Sequence, residues 1–162
     1  MSESGEGVSG ALELNAHNKD EYPPMHTAEH ILNQTMVRMF DCPRAMNAHI
    51  EKKKSKCDYD LPSAPTSGEI AEIEARVNAV IAQGLPVTVE FMGRAEAAKL
   101  VDLRKLPAGA SDAIRVVRVG DYDVCACIGK HVSNTREIGG MLKIISSDYA
   151  DGKWRVRFKL EG

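Results

Sequence analysis

The sequence predicts an α+β domain in which an antiparallel sheet carries helices packed on one of its faces. The first half of the chain holds two segments in which apolar residues recur every three or four positions, as in amphipathic helices. The second half holds two pairs of alternating apolar segments, and each pair is joined by a turn that contains glycine. Helices followed by antiparallel hairpins are typical of the α+β class.

The N-terminal part of the chain divides at a pair of prolines. Residues 1–22 are polar, with glycine and serine at the start, and we expect a flexible N-terminal arm there. The remaining residues, 23–162, then form one domain. A helix of about 14 residues is predicted from Met25. Its apolar face would carry Met25, Ala28, Leu32, Met36 and Met39.

The middle of the chain predicts a strand pair and a second helix. The segment NAHIEKKKSKCDYDL indicates two short strands around a basic turn. Thr66 and Glu69 have the spacing of a capping box, and Gly84 stands where a C-terminal cap belongs. The apolar stripe between them is Ile70, Ile73, Val77, Val80 and Ile81.

The last part of the chain is predicted to be mainly β. PVTVEFM indicates a strand, and RAEAAKLVDL a short helix or turn. AIRVVRV and YDVCACI flank Gly120-Asp121 and predict one hairpin. GGMLKIISS and KWRVRFKL flank Asp151-Gly152 and predict a second.

The composition restricts the class of protein. A chain of 162 residues with 43% hydrophobic and 27% charged residues is ordinary for one globular domain. No apolar run approaches 18 residues, so no membrane association is expected. The polar N-terminus and four scattered cysteines favour a cytoplasmic location without disulfides. The net charge of −2 argues against a protein that coats nucleic acid non-specifically.

Two short motifs have the residue types of a metal site. His26 and His30 are four residues apart on the first predicted helix, so both rings project from one side. Cys127 and His131 repeat this spacing about a hundred residues later, where a strand runs into a loop. Three imidazoles and one thiolate suit zinc. Each motif by itself also fits histidines at the edge of a core.

The segments HTAEHIL and CIGKHVSNTREIG resemble the two motifs of the freestanding alanyl-tRNA editing proteins of the AlaX type. They also resemble the editing domain of alanyl-tRNA synthetases and, more distantly, that of threonyl-tRNA synthetases. The likeness runs from about Tyr22 to the C-terminus. It implies zinc bound by His26, His30, Cys127 and His131. It also implies a trans-editing hydrolase that cleaves the ester of a mischarged tRNA, Ser-tRNA(Ala) or Gly-tRNA(Ala).

Three positions depart from the alanyl pattern. Ile128 stands in place of a usual glycine, Lys130 in place of a threonine and Arg136 in place of another glycine. Side chains at 128 and 136 would be strained if the backbone there were left-handed. The Cys-x-Gly-x-His arrangement, with Gly129 in the centre, also resembles the threonyl-type motif. Editing of Ser-tRNA(Thr) is therefore an alternative.

Our hypothesis for the reaction is attack of a zinc-bound water on the ester carbonyl. In a variant of it, the zinc only organises the pocket and a nearby group positions the water. Glu29 is the candidate for the general base, although it also fits an ordinary solvated helix carboxylate. Glu137 is a second candidate for a catalytic role, in which it would hold a ligand histidine or the substrate amine, and it fits a surface salt bridge equally well. Four protein ligands are typical of structural zinc, which leaves no position for water. A zinc-stabilised module that binds tRNA or protein without turnover is thus a second hypothesis. A third is an interaction domain whose histidines bind no metal.

The expected partner is the 3′ end of a tRNA that carries a wrong amino acid. Thr27 and Thr135 are candidate contacts to the hydroxyl of serine. Lys130, Arg136 and the basic run 52–56 are candidate contacts to phosphate. The sequence does not indicate an oligomeric state.

Overall fold

The computed structural model describes residues 22–103 and 113–162. Most of the predicted N-terminal arm therefore lies outside the described residues. The elements, in chain order, are α1 (Pro23–Phe40), β1 (Asn47–His49), β2 (Ser55–Asp60), α2 (Ser67–Gln83), β3 (Val87–Gly93), α3 (Arg94–Ala98), β4 (Ala113–Val119), β5 (Asp123–Ala126), a 3₁₀ helix (Thr135–Ile138), β6 (Met141–Ala150) and β7 (Lys153–Glu161).

The strands of the described residues form two antiparallel sheets rather than the single sheet that we expected. One sheet has four strands in the order β1-β2-β7-β6, and the other has three in the order β3-β4-β5. The sheets are separate because the chain leaves β5 through residues 127–140 and starts β6 elsewhere. The α+β class is confirmed, with every strand pair antiparallel.

The main core lies between the two long helices and the sheets. The predicted apolar face of α1 is fully buried at Met25, Ala28, Leu32 and Met36. Ile73 and Val77 of α2 join the same core, as do Trp154, Val156 and Phe158 of β7. Burial of these large side chains stabilises the position of α1, which carries two of the candidate ligands.

Helix α1 spans 18 residues, four more than the apolar pattern predicted. It begins at Pro23, because proline is tolerated in the first turn, where its missing N–H has no helical partner. It ends at Phe40, and the residue that caps it, Asp41, has a left-handed backbone with φ of 54°. Among the described residues, none of the helices has the length and hydropathy of a membrane span.

The cap signals of α2 are confirmed. The Thr66 hydroxyl accepts a hydrogen bond from Glu69 N, and the Glu69 carboxylate accepts one from Thr66 N. Gly84 ends the helix in the left-handed conformation, with φ of 71°. These are local interactions, and this explains why the sequence predicts them correctly.

Both predicted hairpins are present. Asp151 and Gly152 have φ of 54° and 77°, which is the two-residue turn that the natural twist of two strands favours. The first hairpin has a longer turn, residues 120–122, and Val119 pairs with Asp123. Strand β5 ends at Ala126, earlier than predicted, so Cys127 begins the loop that holds the second motif. Helix α3 has five residues, and the 3₁₀ helix was not predicted.

The capping box provides a test of the fold. We expect Thr66→Ala to lower the free energy of unfolding by about 1 kcal/mol, because the N–H of Glu69 loses its acceptor. Urea denaturation followed by circular dichroism measures the change. Thr66→Ser keeps the acceptor oxygen and should stay close to wild type. Equal losses for both variants would contradict the capping role.

Candidate metal centre

Helix α1 brings the first two candidate ligands to one side of the molecule. His26 and His30 are one turn apart, and their ring centroids are 5.0 Å apart. His30 is 3% exposed, whereas His26 is half-buried. Because the opposite face of α1 packs in the core, the helix cannot rotate to carry either ring away.

The other two candidate ligands come from the loop that follows β5. Cys127 N donates to Arg115 O at 3.1 Å, so the sheet pairing extends one residue past the strand. The Arg115 guanidinium donates to the carbonyl oxygens of Cys127 and Gly129, each at 2.7 Å. This arginine folds the loop back, so that His131 faces the same point as Cys127.

The four ligand atoms converge as the two motifs predicted. One atom from each of His26, His30, Cys127 and His131 lies within 4.8 Å of all the others. Cys127 Sγ is 3.6 Å from both His26 Nε2 and His131 Nε2. Among the described residues, these four are the group of histidines, cysteines and acids arranged to hold a metal.

Contacts behind two of the rings orient their Nε2 atoms towards the centre. His26 Nδ1 lies 3.1 Å from Lys130 O. Because a carbonyl oxygen can only accept a hydrogen bond, this contact requires the proton of the ring to be on Nδ1. His131 Nδ1 lies 2.9 Å from Thr27 Oγ1, which also accepts from Val132 N at 3.3 Å. With the proton on Nδ1, the lone pair of each ring is on Nε2 and points at the ligand cluster.

Asp123 stands behind the third ring. Its Oδ2 is 3.6 Å from His30 Nδ1, the one buried side-chain nitrogen or oxygen without a hydrogen-bond partner in the described parts of the chain. Arg44 and Gln34 donate to Asp123 Oδ1 at 2.6 and 2.9 Å. Burial would raise the pKa of Asp123, but His30 and Arg44 hold it well below its ordinary range. A carboxylate behind a histidine is a common support for a metal ligand.

Glu29 is not the solvated carboxylate that its position on a helix suggested. It is 7% exposed, and its Oε1 lies 4.0 Å from His26 Nε2 and 3.9 Å from His30 Nε2. Asn33 Nδ2 donates to the other oxygen, Oε2, at 2.5 Å. Asn33 is itself fixed by the Tyr59 hydroxyl, which donates to its Oδ1 at 2.6 Å. A carboxylate oxygen is therefore held beside the ligands.

The electrostatics favour a thiolate at the centre. Burial alone would raise the pKa of Cys127, but the charge of His30 and hydrogen bonds from the three imidazoles lower it well below its ordinary range. For His131, burial and the neighbouring histidines lower the pKa to about 4. Cys125, two residues earlier, differs because burial raises the pKa of its thiol.

The donor set fits zinc. One thiolate and three imidazoles are ligands that this ion prefers, and the rings already present nitrogen lone pairs to one point. The buried Nδ1 of His30 faces a carboxylate that would fix its proton, again leaving Nε2 for a metal. The four residues are thus those that would hold zinc.

The predicted contacts to serine lie deeper than expected. Thr27 is fully buried, and its hydroxyl contacts His131 and Val132 behind the ligand cluster. Thr135 is also fully buried, where its hydroxyl donates to Ile81 O and accepts from Leu85 N at the end of α2. Both hydroxyls therefore make contacts within the fold.

The remaining predicted residues are exposed. Lys130 has its side chain at the surface, next to the carbonyl that holds His26. The Arg136 guanidinium lies against Gly84, where an added Cβ would be 2.5 Å from its Nε. Glu137 accepts hydrogen bonds from the backbone and hydroxyl of Ser133, each at 3.0 Å, and shapes the loop.

The replaced glycines cause no backbone strain. Among the described residues, Asp41 and Asp151 are the non-glycine residues with positive φ, and Ile128 and Arg136 are not among them. The departures from the alanyl pattern therefore change the surface of the loop rather than its backbone conformation.

Sequence reasoning missed the residues that surround the ligands. Asp123, Arg44, Asn33 and Tyr59 come from different elements and carry no shared motif. Asp123 lies in the segment YDVCACI, whose pattern predicts a strand and no role at the metal. The one local signal was the spacing of Glu29 and Asn33, four residues apart on α1.

Comparison with known proteins identifies the family. Residues 114–157 match the model of the threonyl and alanyl tRNA synthetase second additional domain. The alanyl-tRNA editing protein AlaX-L of Pyrococcus horikoshii is 32% identical over 136 residues. Residues 114–157 thus belong to this domain family, and the chain as a whole is AlaX-like in sequence.

Other relatives are alanine–tRNA ligases. Those of Pyrobaculum arsenaticum and Methanococcus vannielii are 35% and 30% identical, over 162 and 149 residues. The alignments cover 94% and 90% of the AlaX-like chain but only 18% and 17% of those ligases. For AlaX-L the shares are 83% and 32%. The chain thus spans less than a third of the length of each of these three relatives.

The contact between Asp123 and His30 provides a test of the candidate metal centre. We expect Asp123→Asn to weaken zinc binding about 10- to 100-fold, because the ring of His30 loses a charged support. Competition with a chromophoric chelator measures the affinity. Asp121→Asn, an exposed neighbour in the same turn, is the control and should bind zinc as wild type does.

Removal of a ligand should give the lowest zinc affinity in the same titration. His26→Asn removes a ligand and should lose more affinity than Asp123→Asn, whereas His49→Asn, an exposed histidine on β1, should lose none. Unchanged affinity in His26→Asn would contradict the ligand set.

Proposed function

We propose that this chain is a zinc-dependent aminoacyl-tRNA deacylase that hydrolyses Ser-tRNA(Ala). The observation that carries the proposal is the convergence of three imidazoles and one thiolate, from segments about a hundred residues apart, on one point. The resemblance of both motifs to alanyl-tRNA editing proteins supports the substrate class. Its similarity to AlaX-L and to alanine–tRNA ligases supports alanine tRNA as the partner.

The ligand cluster would bind the metal on which the proposed activity depends. His26, His30, Cys127 and His131 would hold zinc. Thr27 contacts the ring of His131 from behind, and the Asp123 carboxylate lies behind the ring of His30. When bound, zinc supplies a Lewis acid that polarises the ester carbonyl. The partly exposed His26 marks the side from which a substrate reaches the cluster.

Glu29 is proposed as the group that accepts a proton from the attacking water. Its Oε1 faces two ligand nitrogens, and Asn33 holds the other oxygen so that the carboxylate cannot turn away. The water oxygen forms a bond to the carbonyl carbon, and the bond to the ribose oxygen breaks. The proton passes from the water through Glu29 to that ribose oxygen, which leaves free serine and an uncharged tRNA end.

Glu137 is less suited to this role than Glu29. Both of its carboxylate oxygens accept hydrogen bonds from Ser133, so the side chain is occupied in shaping the loop. Glu29 is buried beside the ligands, where an electrostatic interaction is stronger than at the surface. The structure therefore favours Glu29 of the two acids that the sequence suggested.

The basic loop between β1 and β2 is proposed to contact tRNA phosphates. Lys52 Nζ lies 5.7 Å from the centre of the Tyr22 ring, at the start of α1. His26 N donates to Tyr22 O at 3.0 Å, so the loop borders the turn that carries a ligand. Lys53, Lys54 and Lys56 are exposed and add to the same positive surface, and Lys130, which is also exposed, contacts His26 through its backbone oxygen.

The proposed activity is tested with purified protein and charged tRNA. We expect rapid loss of serine from Ser-tRNA(Ala), no loss of alanine from Ala-tRNA(Ala), and inhibition by a zinc chelator that added zinc reverses. Ser-tRNA(Thr) is assayed in parallel, since faster hydrolysis there would assign the threonyl-type substrate. Slower ester loss than in buffer alone would indicate a binding module that protects the ester.

The role of Glu29 is tested in the same assay. Glu29→Gln keeps the shape of the side chain and its contact with Asn33 but removes the base, so kcat should fall by roughly 10²- to 10⁴-fold. KM and the zinc content should change little. Glu72→Gln, an exposed acid on α2, is the matched control. A kcat within a few fold of wild type would remove Glu29 from the mechanism.

A further inference from the structure

Strand β3 exposes large apolar side chains that the fold does not use. Phe91 is 66% exposed and Val89 is 44% exposed, although both belong to a paired strand. Ile128, in the loop that follows β5, is 41% exposed. Single exposed apolar residues are common, but these three belong to the sheet and loop that carry Cys127.

The register places Phe91 in line with a metal ligand. Phe91 pairs with Arg115 across β3 and β4. On its other side Arg115 is opposite Cys127, because Val116 pairs with Ala126 and Cys127 N donates to Arg115 O. Residues directly opposite each other in antiparallel strands point to the same face. Two strand spacings separate the ends of this row, which puts Phe91 about 10 Å from Cys127 along the sheet.

The other face of the same sheet is already covered. Ile114 and Val116 point there and pack with Ala97 of α3 in a small core. The face that holds Phe91, Arg115 and Cys127 is therefore the one that continues to the ligand cluster. The Phe91 ring lies on the same face as Cys127, two strands away, and does not belong to the small core.

The chemistry of this row suits the end of a nucleic acid. Arg115 lies between the ring and the loop, with its guanidinium on the carbonyls of Cys127 and Gly129. Lys130, in the same loop, adds an exposed cation. Unpaired bases stack on aromatic rings and guanidinium planes, while cations attract the adjoining phosphates. The end of a nucleic acid, which has a free base and charged phosphates, is therefore complementary to the exposed ring of Phe91 and the cations Arg115 and Lys130.

We propose that Phe91 is a stacking platform for the 3′-terminal base of the tRNA whose ester is held at the ligand cluster. The proposal rests on the proposed deacylase function, because it takes the ester at the cluster as its fixed point. It assigns the affinity for the terminal nucleoside to β3, and the chemistry to α1 and the loop after β5. Arg115 is a positioning residue that joins the two.

Binding is measured separately from turnover. Phe91→Trp places an indole on the platform, whereas the natural Trp154 is 1% exposed and gives a shielded background. The probe is adenosine that carries serine at its 3′ position through a non-hydrolysable amide. We expect this compound to quench the indole emission of Phe91→Trp. It should leave unchanged the emission of Ile145→Trp, an exposed apolar site on β6.

Steady-state kinetics of variants that lack the aromatic ring of Phe91 provide a second test. Phe91→Ala should raise KM for Ser-tRNA(Ala) about tenfold or more, as the loss of base stacking commonly does, with kcat little changed. Phe91→Leu keeps the apolar surface and should show the same defect, whereas Phe91→Tyr should restore the wild-type KM. Hydrolysis of a simple serine ester without adenosine should be equal in all variants. Ile145→Ala is the matched control for the loss of an exposed apolar side chain.

The outcomes separate this proposal from the proposed activity. Quenching in Phe91→Trp without any hydrolysis by wild type would support the platform and reject the deacylase. Normal hydrolysis with unchanged KM in Phe91→Ala, or equal quenching at both tryptophan positions, would reject the platform alone. A change of oligomeric state in Phe91→Ala, measured by sedimentation with KM unchanged, would also overturn it and assign the face to a contact between copies.

Discussion

The contact between helix α1 and the segment 123–132 is the constraint on which the site depends. Lys130 O fixes His26, Thr27 fixes His131, and Asp123 stands behind His30, so each segment orients rings of the other. The core holds both sides rigidly, because α1 buries a full apolar face and β5 is paired with β4. Packing therefore holds the four ligand side chains close together, and this reduces the conformational cost of binding a metal.

The buried charges around the cluster form one connected system. Two carboxylates, Glu29 and Asp123, lie within about 4 Å of ligand histidines, and Arg44 compensates Asp123 from behind. Burial costs much less when each carboxylate accepts strong hydrogen bonds, as from Asn33 and Arg44. The protein thus keeps anionic oxygens beside a site that would hold a cation, without leaving either one unsatisfied.

Local signals explain which elements could be predicted. The capping box at Thr66 and the Asp151-Gly152 turn are satisfied by neighbours within a few residues, so their sequence patterns suffice. The division into two sheets, the end of β5 at Ala126 and the 3₁₀ helix depend on distant partners. In that helix Thr135 bonds to the end of α2, a contact that no pattern in its own segment reveals.

By itself the sequence determined the α+β class, the two long helices, both hairpins and the pairing of His26 with His30, because these follow from periodicity and short spacings. It also paired Cys127 with His131 by spacing, and the resemblance joined the two pairs into one site. Only the tertiary structure decided what surrounds that site. Burial of Glu29 and the support from Asp123 are contacts between side chains that packing brings together across large separations in the chain.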